Sequence, residues 1–176
     1  MEILVDAVGY FEFVRDSPFR LPVTAGDPDR SCIGKHVVLK ALLSSLGLKV
    51  RYALCRFSWN GLNLPQSLKE IPHRDVVHVY LEVYSVEQAR WMTVDATWDR
   101  ELSSELPVSH WDGRNDTTIA VNPTERLSQI ENQKEFEEFI DEPGIRQWTD
   151  LPMDSPSKIN GRFYEALNKW AESIRP

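Results

Sequence analysis

Cysteine is scarce in this chain: only Cys32 and Cys55 occur among 176 residues. Two thiols do not make a disulfide framework, so the apolar core must hold the fold. A single domain of this length buries roughly 70% of the surface that its unfolded chain exposes, and needs no staple. Basic patches are missing too. The 20 Lys and Arg residues are scattered and outnumbered by 27 Asp and Glu, giving a net charge of −7 and a pI near 5.1. That balance argues against nucleic acid and against an acidic membrane surface as partners. No apolar run approaches the length that spans a bilayer. MEILVDAVGYFEFVRD carries Glu2 and Asp6 where a secretory leader would be positive. The reducing cytoplasm is therefore the expected compartment. Internal repeats and low-complexity segments are absent.

What is present is a sequence of alternating periods. Leu4, Val8 and Phe11 recur at helical spacing, so residues 3–15 read as a helix, and SPFRLPVTAGDPDR, with three prolines, reads as a loop. From Cys32 the stretch CIGKHVVLKALLSSLG reads as a second helix, with Ser31 as N-cap and Gly47 as its stop. Val38, Ala41, Leu42 and Ser45 lie on one face and Leu39, Leu43 and Leu46 on another, which predicts a central, largely buried helix. VRYALCRFSW has strand composition, and residues 99–123 look irregular. Two helices are expected to close the chain. One spans Thr124–Ile140. The other opens at Ser155-Pro156 and buries Ile159, Phe163, Leu167, Trp170 and Ile174. The fold class is thus α+β: a cysteine-bearing helix on an antiparallel sheet, in one domain with a core near 5–123 and a helical extension over 124–176.

The hairpin HVYLEVYSVEQARWMTVDATWD carries the chemistry. Val77, Val79, Leu81 and Val83 alternate on its first strand, and Met92, Val94 and Ala96 on its second. Facing these sets pairs Val79 with Val94 and sets His78 opposite Asp95, about 4.5–5.5 Å apart at Cβ. A two-residue offset would make that pair diagonal on the same face. The implied turn at Val86-Glu87 lacks the usual glycine or asparagine, which leaves room for a longer loop. A carboxylate fixes the tautomer of an imidazole and favours its charged form. A cysteine at a helix N-terminus is a good nucleophile, because oriented N–H groups stabilise a thiolate. Cys32, His78 and Asp95 therefore form a candidate acyl-transfer set. Trp59, Trp91, Trp98 and Trp111 are candidates to line a cleft beside it, Trp91 foremost because it shares the Asp95 face.

These elements, in the order SCIGKHVVLKALLSSLGLKVRYALCRF, HVYLEVY and WMTVDATWD, resemble the transglutaminase-like domain of the papain-like cysteine enzyme group. FEFVRDSPF looks like the helix and loop that precede the cysteine there, and the likeness covers roughly residues 5–123. It implies Cys32 as nucleophile, His78 as general base and Asp95 as orienting carboxylate. Peptide or protein amides are the implied substrates, acted on by a protease, amidase or crosslinking acyltransferase. Arg30-Ser31 replace the glycine-containing turn common before the cysteine, and calcium-ligand loops have no counterpart.

Plainer readings stand beside these. The same fold could be a silent domain that binds proteins, or, more remotely, an acyl-CoA acetyltransferase, although no cofactor-binding pattern is visible. No cofactor and no metal are expected. Cys55 reads as inert core, His36 as a helix-surface residue, His73 and His110 as solvated, and WDGRND as a turn.

Overall fold

The computed structural model describes residues 2–24, 26–142 and 156–176, and its architecture follows from the alternation along one strand. Strand β2, Val76–Ser85, sends Val77, Val79, Leu81 and Val83 into one apolar cluster and Tyr80 into another. A sheet with apolar matter on both faces must be covered twice. The four antiparallel strands run in the order β3-β2-β1-β4, with β1 at Val50–Phe57, β3 at Arg90–Val94 and β4 at Pro123–Ile130. One face is covered by α1, Glu2–Asp16, through Ala7, Phe11 and Val14, and by α2, Cys32–Ser45, through Ile33, Leu39 and Leu43. Between the central strands lie α3, Gln66–Lys69, and its loops; after the sheet come α4, Gln133–Ile140, and α5, Pro156–Ile174. Phe136 of α4 stacks on Tyr52 at 3.6 Å, while Phe163, Tyr164, Leu167 and Ala171 of α5 join the cluster on the opposite face. The fold is α+β. Among the described residues no helix is long and apolar enough to cross a membrane.

Several expectations change. The Thr124–Ile140 helix is instead strand β4 followed by α4. β4 is an outer strand, exposed along most of its length, so its side chains lack the apolar alternation by which strands are recognised. Asn132 starts α4 by accepting from the N–H groups of Lys134 and Glu135 at 2.8 and 3.2 Å. Helix α2 packs on the sheet with α1 beside it, as expected, but it buries a single stripe and leaves Val38 and Ala41 exposed. Ser155 and the Ile159 side chain lie outside the described residues, and Trp170 and Ile174 are only partly buried. The hairpin is offset by two residues from the expected register, with Leu81 facing Val94 and Val83 facing Met92. Four residues, 86–89, make its turn, and Ala89 takes a left-handed φ of 51° where the expected tight turn had no suitable residue.

Two features position the start of α2. Gly47, at φ 79°, ends the helix in a Schellman arrangement, its N–H reaching Ser44 O and the Leu48 N–H reaching Leu43 O. At the other end Ser31 Oγ accepts from Ile33 N–H at 3.2 Å while the Ser31 N–H and hydroxyl donate to Asp29 at 2.9 and 2.6 Å. Gly34 lets that turn close, because a Cβ there would stand 2.0 Å from the Asp29 carbonyl oxygen. Gly34→Ala is accordingly expected to cost at least the ~1–3 kcal/mol of an overpacked core site in denaturant unfolding. It is also expected to slow alkylation of Cys32, since the displaced turn carries that residue.

Candidate active site

Strand β3 stops at Val94, opposite Leu81, so the first half of β2 has no β3 neighbour. His78 lies on this stretch, and the loop after β3 reaches it through Asp95. The two-residue offset makes His78 and Asp95 diagonal, and they still meet: His78 Nε2 lies 2.7 Å from Asp95 Oδ2. Both side chains are essentially sealed from solvent. Such a carboxylate must be satisfied from within. Asp95 Oδ1 accepts from the Thr97 N–H at 3.1 Å and the Thr97 hydroxyl at 2.6 Å, and Oδ2 also accepts from Ala120 N–H at 2.8 Å. The Asp95 N–H donates to Thr117 Oγ1 at 2.9 Å.

Cys32, partly exposed at the first position of α2, lines the same cavity as His78. Asp95 occupies Nε2 of the ring, which leaves Nδ1 for the thiol. Burial pulls the His78 pKa down, but the Asp95 charge and hydrogen bond, together with the Cys32 side chain, outweigh it and push it up to about 10. Burial acts to raise the Asp95 pKa, and the His78 charge and hydrogen bond overcome it, holding the carboxyl well below its ordinary range. The pair is an imidazolium and a carboxylate at neutral pH. Cys55 faces His78 across β1 and β2, wholly buried; burial above all pushes its thiol up to about 12.

His36 is the residue that sequence reasoning misplaced. It is fully buried, not on the surface. Its Nε2 accepts the Ala96 N–H at 2.9 Å, so Nδ1 must carry the proton, donated to Cys32 O at 2.7 Å. Burial first, and His78 among the lesser causes, pull its pKa down to about 4. A neutral imidazole thus ties the backbone of Cys32 to the residue after Asp95. The signal was its spacing, since Cys32, His36, Leu39 and Leu43 fall on one helical stripe. Lys35 went unremarked as well. Its buried ammonium donates to Arg15 O at 2.8 Å and Thr97 O at 2.9 Å, and burial draws its pKa down to about 7.

Of the four candidate tryptophans, Trp59 and Trp98 line the cavity with Cys32 and His78; Trp91 and Trp111 do not. Trp91 shares the expected sheet face but sits at the hairpin's far end, under Arg51 at 4.0 Å and beside Tyr84 at 5.4 Å. His73 packs on Phe163 at 4.6 Å, and Asp112 closes a turn by accepting from Arg114 and Asn115 N–H groups at 2.8 Å each. Among the described residues no group of three His, Cys, Asp or Glu side chains is placed to hold a metal ion. The cavity, of about 60 Å³, is bounded on one side by Tyr164 of α5. No protein-family model, no curated protein and no solved structure matches this chain.

Two outcomes follow from the charges. In a nitrogen-15 NMR titration, His78 should stay doubly protonated from pH 6 to 8 and lose its proton near 10, while His36 stays in the Nδ1–H form down to about pH 4. The stability from His78 is complete below the unfolded value of 6.5 and drains away as pH rises to about 10. That from Asp95 is present above 3.8 and lost in acid as pH falls through its lowered folded value. Asp95→Asn, which strands a buried imidazole, should therefore lower unfolding free energy by about 3–5 kcal/mol, with the largest deficit between pH 4 and 6.5.

Proposed function

We propose that this chain is a cysteine-dependent acyl-transfer enzyme of the transglutaminase-like kind, acting on an amide of a peptide or protein. The observation that carries the reading is the buried His78–Asp95 pair whose remaining ring nitrogen is left to a thiol at a helix N-terminus. Structural ion pairs are common, but a sealed imidazolium and a partly exposed cysteine in one cavity favour the chemical reading. The resemblance over residues 5–123 gives the same three residues the same roles. Two free cysteines suit a reducing compartment such as the cytoplasm.

In the proposed reaction the Cys32 sulfur attacks the amide carbonyl carbon, and the carbonyl π pair moves to oxygen. The Cys32 N–H at the first helical position, which has no intrahelical acceptor, donates to that oxygen. The oxygen pair returns as the C–N bond breaks, and the His78 Nδ1 proton passes to the departing amine, leaving a thioester on Cys32. Water or a second amine then attacks the thioester carbonyl, His78 takes its proton, and the C–S bond breaks, releasing the acyl product and returning Cys32 and His78 to the state in which they began. Asp95 stays ionised throughout and keeps the ring oriented.

Iodoacetamide should modify Cys32 roughly a hundredfold faster than Cys55, and His78→Ala should reduce that advantage by about tenfold or more. Intact-mass analysis after acid quench of a reaction with propionyl p-nitroanilide should catch a propionyl adduct on Cys32 that decays faster when methylamine is added. Equal, slow labelling of both cysteines, with no adduct above the level of Cys32→Ser, would sink the enzymatic reading in favour of a silent binding domain.

A further inference from the structure

Helix α5 does more than complete the second apolar cluster. In the short segment 19–21, which leads away from α1, every backbone N–H and C=O is bonded. Arg20 pairs in both directions with Arg30, at 3.3 and 3.2 Å. Its two neighbours bond instead to side chains. The Leu21 N–H donates to Asn168 Oδ1 at 2.9 Å, and Asn168 Nδ2 donates to the Leu21 carbonyl at 2.9 Å. The Phe19 N–H donates to Asp99 Oδ2 at 2.7 Å, and its carbonyl accepts at 3.0 Å from Arg175 Nη2, which also donates to Asp99 at 2.8 Å. A carboxamide carries donor and acceptor side by side, as a peptide group does, so buried Asn168 does for Leu21 what an adjacent strand would. The segment reaches the site twice. Phe19 and Leu21 line the cavity that holds Cys32 and His78, and Arg30 belongs to the Asp29–Ser31 turn that caps α2 at Cys32.

We propose that α5 is part of the substrate site, and that Asn168 is a positioning residue holding Phe19 and Leu21 in the wall against which the acyl arm packs. The assignment rests on the acyl-transfer reading and gives it a substrate class: an amide whose acyl side is apolar. Most of the cavity wall is aliphatic or aromatic, and its two charged side chains are engaged, His78 by Asp95 and Asp29 by Ser31. A charged arm would lose its hydration there with no free counter-charge to meet it. Because Phe19 and Leu21 hang from α5 and Asp99 by side-chain bonds, Asn168 and Arg175 decide where that part of the wall stands. The Arg20–Arg30 pairing carries the same anchorage to the turn before Cys32, so one helix places wall and nucleophile together.

The test compares the rates at which methyl and butyl methanethiosulfonate modify Cys32, followed by peptide mass. Both reagents meet the same sulfur, so its thiolate fraction cancels in their ratio. Relative to glutathione, Cys32 should favour the butyl reagent by roughly tenfold, the effect of three partly buried methylenes. Asn168→Ala frees Leu21 and should lower that preference about threefold or more, the scale of a lost neutral hydrogen bond. Arg175→Lys keeps a charge beside Asp99 without the fork that reaches Phe19; it should lower the preference in the same direction, and decides the matter if Asn168→Ala does not fold. Ile140→Ala, in the core under α4, should lose stability and keep the parent's preference. The proposal is overturned if the folded Asn168 or Arg175 variant keeps the parent's ratio, or if Ile140→Ala lowers it as much. It is equally overturned if the parent shows no preference for butyl, or if Cys32 reacts with neither reagent. An unchanged ratio together with a propionyl adduct on Cys32 removes the wall and leaves the enzyme; a lowered ratio without the adduct does the reverse.

Discussion

The Asp95 carboxylate is cut off from water, and much of the surrounding structure answers that constraint. An ionised group in such a place is tolerable only with a counter-charge and a full set of donors. His78 provides the charge; Thr97 and the Ala120 N–H provide the donors. Each donor comes from a different stretch of chain, so the requirements of one carboxylate gather strand β2, the loop after β3 and the 117–121 segment at a single point. The proton that this arrangement holds on His78 is the one the proposed chemistry spends.

A second assembly delivers the thiol to that point. Asp29 and Ser31 cap α2, Gly34 lets the preceding loop close against the helix, and His36 and Lys35 fasten the helix to the 96–97 backbone. His36 serves by staying neutral and His78 by staying charged, although their ring centroids lie only 6.4 Å apart and both are buried. Their hydrogen bonds explain the contrast. Asp95 bonds directly to His78, whereas its nearest oxygen stands 3.6 Å from His36, whose Nε2 lone pair is already committed to Ala96 N–H. Two imidazoles in one environment are separated in function by what each must accept.

Much of this was written in the sequence where period and chemistry coincided. Apolar alternation in β2 and β3 announced the hairpin, and the parity of His78 and Asp95 survived a two-residue offset because parity is unchanged by an even shift. The serine cap and the glycine stop of α2 were legible for the same reason: local backbone requirements are met by local residues. β4 was illegible because it is exposed along most of its length, so its pairing with β1 and not its own side chains makes it a strand. His36 and Lys35 were misjudged or missed since polarity alone says nothing about a buried acceptor waiting elsewhere in the chain. Trp91 followed the right face but the wrong end, a distinction that alternation cannot encode.

The early stop of β3 has an effect on how this protein can vary. Where strands pair regularly, an inserted residue is absorbed at the turn, as the four-residue connection over 86–89 shows. Past Val94 there is no ladder to restore alignment, and three successive residues each bind something fixed: Asp95 to His78, Ala96 to His36, Thr97 to Lys35. Length changes there would misplace all three at once, so this short stretch is frozen in length while the hairpin tip remains free to drift.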